Sequence, residues 1–390
     1  MKLADRVLSL KPSATLSIST LTQELRAQGK DILSLSIGEP DFDTPQHICQ
    51  AAIDAIHNNI TRYTPVPGLP QARAAVVQYF KHFYGVAAQN ENVILSNGGK
   101  HSLFNALLSI IDPGDQVIIP APYWVSYPPM VELVGGKATI IPTLASKNFK
   151  ITCEDLEQNF TPKTKAIILN SPSNPTGVIY SQEEIDHIAQ WAVDHNVMVI
   201  SDEIYDRLIY SGLEAVSLAA WWKKHPENFI ICGGVAKSFA MTGWRVGYLL
   251  ADQSIINGIS KIQGQTTSNI CSIAQMAAVA ALTGNYDSVE AMRKTFEKRR
   301  DLTYEIISSW DDVLCPKPEG AFYLFPSIQE YYSKKHPDST SFCTALLDAE
   351  GVALVPGIAF GNDNCVRISY AVADDVLEEA LTRIGRFLKK

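Results

Sequence analysis

The sequence has no CxxC pair, although it carries 7 cysteines spread from Cys49 to Cys365. An odd, unpatterned set of this kind reads as free thiols in a reducing compartment, not as a disulfide frame or a zinc site. Positive charge is also scarce: Lys and Arg number 33 against 41 Asp and Glu, for a net charge of −8. That balance argues against a general nucleic-acid or anionic-membrane surface, so neither partner is expected. It leaves room for a few placed cations in a pocket. No run of about 18 apolar residues is present to span a bilayer. The opening stretch MKLADRVLSLKPSAT breaks its apolar residues with charge and proline and makes a poor signal peptide. The expected location is the cytoplasm. GxGxxG, GxSxG and HExxH are all missing, and the 8 histidines show no ligand spacing, so no metal is expected.

What is present is a globular composition, 46% hydrophobic and 19% charged over 390 residues. The middle of the chain alternates apolar, branched runs with helical patterns. DQVIIPA (115–121), KAIILNS (165–171), VMVISDE (197–203) and NFIICGG (228–234) read as buried strands. SQEEIDHIAQWAVDHN (181–196) reads as an amphipathic helix with Ser181 as N-cap and Glu184 closing a capping box. Strand–helix–strand order implies parallel strands joined by right-handed crossovers. After residue 284 a long charged helix precedes three short strand-like runs, AFYLFP, ALVPG and VRISYA, and a closing helix. The division expected is a large domain over 46–284 and a smaller α+β domain over 285–390. Residues 1–45 form an arm that completes the smaller unit.

In open parallel sheets, ligands bind beyond the carboxyl ends of the strands. Four polar segments fall there. NGGKHSLFNAL (97–107) is a glycine turn opening a helix, a ready anion site. SPSNPTG (171–177) follows one strand, SDEIYDRLIY (201–210) another, and GGVAKSF delivers Lys237 from a third. A phosphate cradle, an acid, a phenol, an amide and a lysine are the equipment for holding an aromatic aldehyde phosphate through a Schiff base. Read singly, each has an ordinary explanation: Lys237 a surface lysine, Asp202 and Asn174 turn residues, Trp124 a core aromatic.

Together they carry a resemblance. KPSAT, SIGEPDFDTP, RYTPVPGLPQAR, NGGKHSLFNAL, PAPYWVSYP, NSPSNPTG, SDEIYDRL, AKSFAMTGWRVGY and VRISYA run nearly end to end. The chain resembles the class I, fold-type I aminotransferases that use pyridoxal 5'-phosphate, and most of all their bacterial aspartate/prephenate branch. The resemblance implies an α/β fold with a mostly parallel central sheet and a smaller α+β domain. It implies that Lys237 bonds the cofactor and shuttles the substrate's proton, that Asp202 pairs with the ring nitrogen, and that Tyr205 and Asn174 bond the ring's phenolate oxygen. Arg245, Gly99 and Lys100 would hold the phosphate, and Trp124 would stack on the ring. Arg367, with Gly38 beside it, would bind the substrate α-carboxylate. Lys11, Thr15 and Lys100 stand where an acidic side chain would be recognised, and Tyr63 would reach the cofactor of a second subunit in a homodimer. The substrates implied are a small amino acid, aspartate or glutamate first, and a 2-oxo acid. Prephenate or an aromatic substrate is the alternative, as is a β- or γ-lyase on the same scaffold. An effector-sensing regulator would need a basic DNA-binding domain, for which this acidic chain has no length left. One departure stands out: Ala236 occupies a position where similar enzymes often place Ser or Thr.

Overall fold

The structure, a computed structural model, describes residues 2–8, 10, 12 and 14–389. Its centre is a seven-stranded sheet of β1 (Val93–Asn97), β2 (Gln116–Ala121), β3 (Lys137–Pro142), β4 (Thr164–Asn170), β5 (Met198–Asp202), β6 (Phe229–Gly234) and β7 (Val246–Leu250), in the order β1-β7-β6-β5-β4-β2-β3. The neighbours from β6 through β5, β4 and β2 to β3 are parallel. β7 alone runs against its neighbours, between β1 and β6.

All four strands read from the sequence are present. β1, β3 and β7 were not among them. β7 is reached from β6 by the loop 235–245, which carries Lys237 and no crossover α-helix, and this is why it runs antiparallel.

Successive residues face opposite sides of the sheet, and the packing follows that period. Ile118, Ile167, Val199, Phe229 and Ile231 join one apolar layer, while Val117, Ile119, Ile168, Ile200 and Ile230 join the other. Helices cover both layers. Gly99–Ile110 packs on β1, β6 and β7, and Gln182–Asp194 on β5. The second of these starts as its sequence dictates: Ser181 Oγ accepts from the Glu184 amide and the Glu184 side chain returns to the Ser181 amide. Such a cap contributes about 1 kcal/mol.

A separate apolar cluster gathers Leu35 with Phe296, Phe322, Tyr323, Leu346 and Leu381. It is built from β8 (Tyr323–Leu324), β9 (Val355–Pro356) and β10 (Val366–Ser369), a small antiparallel sheet, together with the helices Asp287–Ser308 and Asp374–Leu388. The amino-terminal segment joins this cluster. Leu33–Ser34 pairs in parallel with Val352–Ala353, and Arg299 links Asp41 to Asp374. These contacts bring Ser36 and Gly38 to the rim of the main sheet, opposite the tips of β4, β5 and β6.

Candidate active site

Because β7 reverses direction, its first residue lies at the same edge as the last residues of its neighbours. Asn97 pairs with Val246 and Gly234 with Gly247, while Asn170 pairs with Asp202. Every polar segment singled out in the sequence therefore emerges on one edge of the sheet. A cavity of about 490 Å³ opens there. Gly38, Gly99, Lys100, Trp124, Asn174, Asp202, Tyr205, Lys237, Arg245 and Arg367 all line it, and so does Thr15. Two expected residues stand apart. Tyr63 is 93% exposed and does not line this chain's cavity, and Lys11 lies outside the described residues.

Lys237 follows the β6 tip and donates from Nζ to the carbonyl of Gly38. Its surroundings are dense enough that desolvation lowers the ammonium to about 8, against the opposing pull of the Glu39 carboxylate. A neutral amine, able to act as nucleophile or base, is thus accessible near physiological pH.

Asp202 closes β5 and is 4% exposed. Tyr127 donates its phenol hydrogen to Asp202 Oδ2 at 2.7 Å, and the Ile204 amide donates to Oδ1 at 3.3 Å. Burial raises this carboxyl to about 6; both hydrogen bonds and the Lys237 charge act in the other direction. The Tyr205 hydroxyl shares a 3.0 Å hydrogen bond with that of Tyr323, and burial holds its proton firmly.

Arg367 reaches the cavity from β10. Its Nη2 donates to the Ser36 carbonyl at 2.7 Å and its Nη1 to Asn174 Oδ1 at 3.1 Å. The guanidinium lies 4.5 Å from the centre of the Tyr323 ring. It is 3% exposed, and Nε is buried without a hydrogen-bond partner. A buried donor in this state costs free energy unless something accepts from it. Asn170 fixes the near side: its Oδ1 accepts from the Asn174 amide at 2.7 Å and its Nδ2 donates to the Asp202 carbonyl at 2.9 Å.

The remaining wall is cationic. Gly98 has φ +85° and caps the helix Gly99–Ile110, whose first amides have no carbonyl within the helix to meet. A Cβ at Gly98 would sit 2.5 Å from Arg245 Nη2, and one at Gly247 would sit 2.4 Å from the Gly98 carbonyl carbon. Glycine is required at both positions for the two turns to abut. Arg245 donates from Nη1 to the Thr242 carbonyl at 2.8 Å. Lys100 lies 5.0 Å over the Trp124 ring, and burial and the Arg245 charge lower its ammonium.

Ala236 lines the cavity and has no hydroxyl to offer it. The hydroxyl of Ser238 is buried without a hydrogen-bond partner and does not line the cavity, so it is no replacement for the absent one. Sequence reasoning missed Tyr127, Tyr323 and Asn170. The first two sit in PAPYWVSYP and AFYLFP, where Trp124 and the strand pattern drew the reading; Asn170 opens NSPSNPTG.

This donor set fits a phosphate-bearing aromatic aldehyde. It offers a lysine of lowered basicity, a buried carboxylate, a buried phenol and a glycine turn against an arginine. An orphaned arginine nitrogen stands ready for a second anion.

Comparison with known proteins adds independent findings. The model of the family described as aminotransferase class I and II matches residues 30–384. The chain is 44% identical to the aspartate aminotransferase of Bacillus subtilis (strain 168) over 391 residues, covering 100% of both. It is 44% identical to the probable aspartate/prephenate aminotransferase of Rhizobium leguminosarum bv. phaseoli, covering 99% of this chain and 98% of that one. The solved structure of Thermus thermophilus aspartate aminotransferase with maleate superposes with a TM-score of 0.94 at 39% identity, covering 99% of each chain.

Proposed function

The chain belongs to the class I and II aminotransferases, and from that membership we propose that it moves the amino group of aspartate or glutamate to a 2-oxo acid with pyridoxal 5'-phosphate as cofactor. The observation that carries this reading is the convergence of Lys237, Asp202, Arg245 and Arg367 on one cavity. When bound, the cofactor supplies an aldehyde that condenses with amines and a ring that accepts an electron pair. Lys237 would hold it covalently and, as a free amine, could take a proton from the substrate Cα. Asp202 would face the ring nitrogen as an anion. Tyr205 and Asn174 would hold the ring oxygen, Trp124 would cover the ring face, and Arg245 with the amides of Gly99 and Lys100 would hold the phosphate.

Arg367 binds the substrate α-carboxylate, with Gly38 closing over it. The orphaned Nε gives the guanidinium a donor for that carboxylate. An acidic side chain is met by Lys100 and Thr15, with Lys11 as a further cation. The Thermus enzyme was solved with maleate, a dicarboxylate, which favours this acidic preference. The Rhizobium relative, a probable aspartate/prephenate aminotransferase, favours prephenate as an added acceptor.

On this reading residues 46–284 hold the cofactor, and 1–45 with 285–390 form the smaller domain. Two copies complete each other's sites in the cytoplasm. The exposure of Tyr63, with Ile53 and Ile56 exposed on the helix Gln46–His57, supports a second copy on that face.

The test is to add amino acid alone to the cofactor-loaded protein. A stoichiometric shift to the amine form of the cofactor, reversed by a 2-oxo acid, is expected. Release of ammonia or thiol with a keto acid would instead mean a lyase. A donor panel against 2-oxoglutarate, oxaloacetate and prephenate ranks the substrates.

A further inference from the structure

Tyr127 opens a short helix, Tyr127–Leu133, at the carboxyl edge of the sheet. Its side chain is 2% exposed and does three things at once. The hydroxyl donates to Asp202 Oδ2 at 2.7 Å. The ring meets the Trp124 indole edge-on, with centroids 5.4 Å apart and planes at 81°. The backbone amide donates to the Trp124 carbonyl at 3.0 Å. From this geometry we infer that Tyr127 is a positioning residue for the cofactor ring, acting through Asp202 and Trp124 and touching neither substrate nor reacting atoms. The inference rests on the cofactor reading given above.

A carboxylate has two oxygens, and only one can face a ring nitrogen squarely. Tyr127 engages Oδ2 and so fixes the rotation of the group. Four titratable groups face Asp202: Tyr127 and Tyr205, Lys237, and the buried thiol of Cys232. Tyr127 is the side chain among them that donates a hydrogen bond to it. A hydrogen bond to the charged form favours that form, so the phenol opposes the rise that burial imposes on Asp202. The phenol itself remains protonated, because desolvation and the neighbouring carboxylate raise it well above its ordinary range. The same side chain thus sets the anion beneath the ring nitrogen and, through its ring edge, the indole that covers the ring face.

The experiment measures cofactor dissociation from the loaded enzyme against pH, in wild type and in Tyr127→Phe, Asp202→Asn and the double variant. Phenylalanine keeps the ring edge against Trp124 and removes only the hydroxyl. At pH 7.5, Tyr127→Phe should weaken cofactor binding about tenfold or more, the loss of one hydrogen bond to a charged group. The acid limb of binding should move to higher pH, since the carboxylate has lost a donor that favours its charge. In the Asp202→Asn background the same change should have almost no further effect, because the residue acts through that carboxylate. Equal weakening in both backgrounds, or an acid limb that stays in place, would overturn the proposal. A wild-type protein that binds no cofactor would instead overturn the reading beneath it, a result distinct from either.

Discussion

Replacing Arg367 by lysine keeps a positive charge and removes the planar fork; replacing it by alanine removes both. In the structure Nη1 and Nη2 are already engaged with Asn174 and the Ser36 carbonyl, and Nε is the donor without a partner. On the proposed reading a substrate carboxylate would pair with Nε and one terminal nitrogen as two charge-assisted bonds, each contributing about 1.5–3 kcal/mol. Losing both costs about 3–6 kcal/mol, which is a fall of about 10²–10⁴ in kcat/KM for the alanine variant. Lysine recovers one point-like contact and should lose about 10–150-fold. The assay is steady-state kcat/KM with aspartate and 2-oxoglutarate, alongside the cofactor absorbance of each variant. That absorbance should barely change if Arg367 meets the substrate and not the cofactor. A substrate analogue lacking the α-carboxylate should react equally with wild type and alanine variant. A fall of less than fivefold for Arg367→Ala, or an equal fall with the decarboxylated analogue, would refute the assignment.

Two further predictions follow from other parts of the molecule. Dimers mixed from Lys237→Ala and Tyr63→Phe chains should keep one intact site in two if Tyr63 serves the second subunit; activity matching a blend of the two parent variants would place each site within one chain. Glu203, 5% exposed and bonded to Ser201 Oγ and the Leu218 amide, is raised by burial to about 7 from an ordinary 4.5. The folded state therefore holds its proton more tightly than the unfolded state. From this group, stability is greatest below pH 4.5 and falls as pH rises through about 7, by about 1–3 kcal/mol. Melting curves of Glu203→Gln should flatten across that window relative to wild type; parallel curves would count against it.

Much of the site was legible because its residues sit beside turn chemistry that a sequence displays. Lys237 follows Gly233 and Gly234, Asp202 ends an apolar run, and Asn174 lies in SPSNPTG. The helix Gln182–Asp194 announced itself through Ser181 and Glu184. What stayed hidden depends on distance. Tyr127 reads as part of a proline-rich loop until the fold brings its phenol to a carboxylate 75 residues on. The pairing of Leu33–Ser34 with Val352–Ala353 involves two-residue strands far too short to show a period. β7 escaped because alternating strands and helices imply crossovers, and nothing local in WRVGYLLA says that this strand runs back.

The placement of β7 also governs the order in which the protein can be made. β1 lies at the sheet margin and pairs with β7 alone. A nascent chain emerging from the ribosome must carry Val93–Asn97 without its partner until more than half the sequence has been translated. The turn at Gly98 meets Arg245 and Gly247 at the same late moment. The anion-facing wall cannot form on a truncated product, and an unpaired apolar strand stays available for wrong pairing throughout that interval.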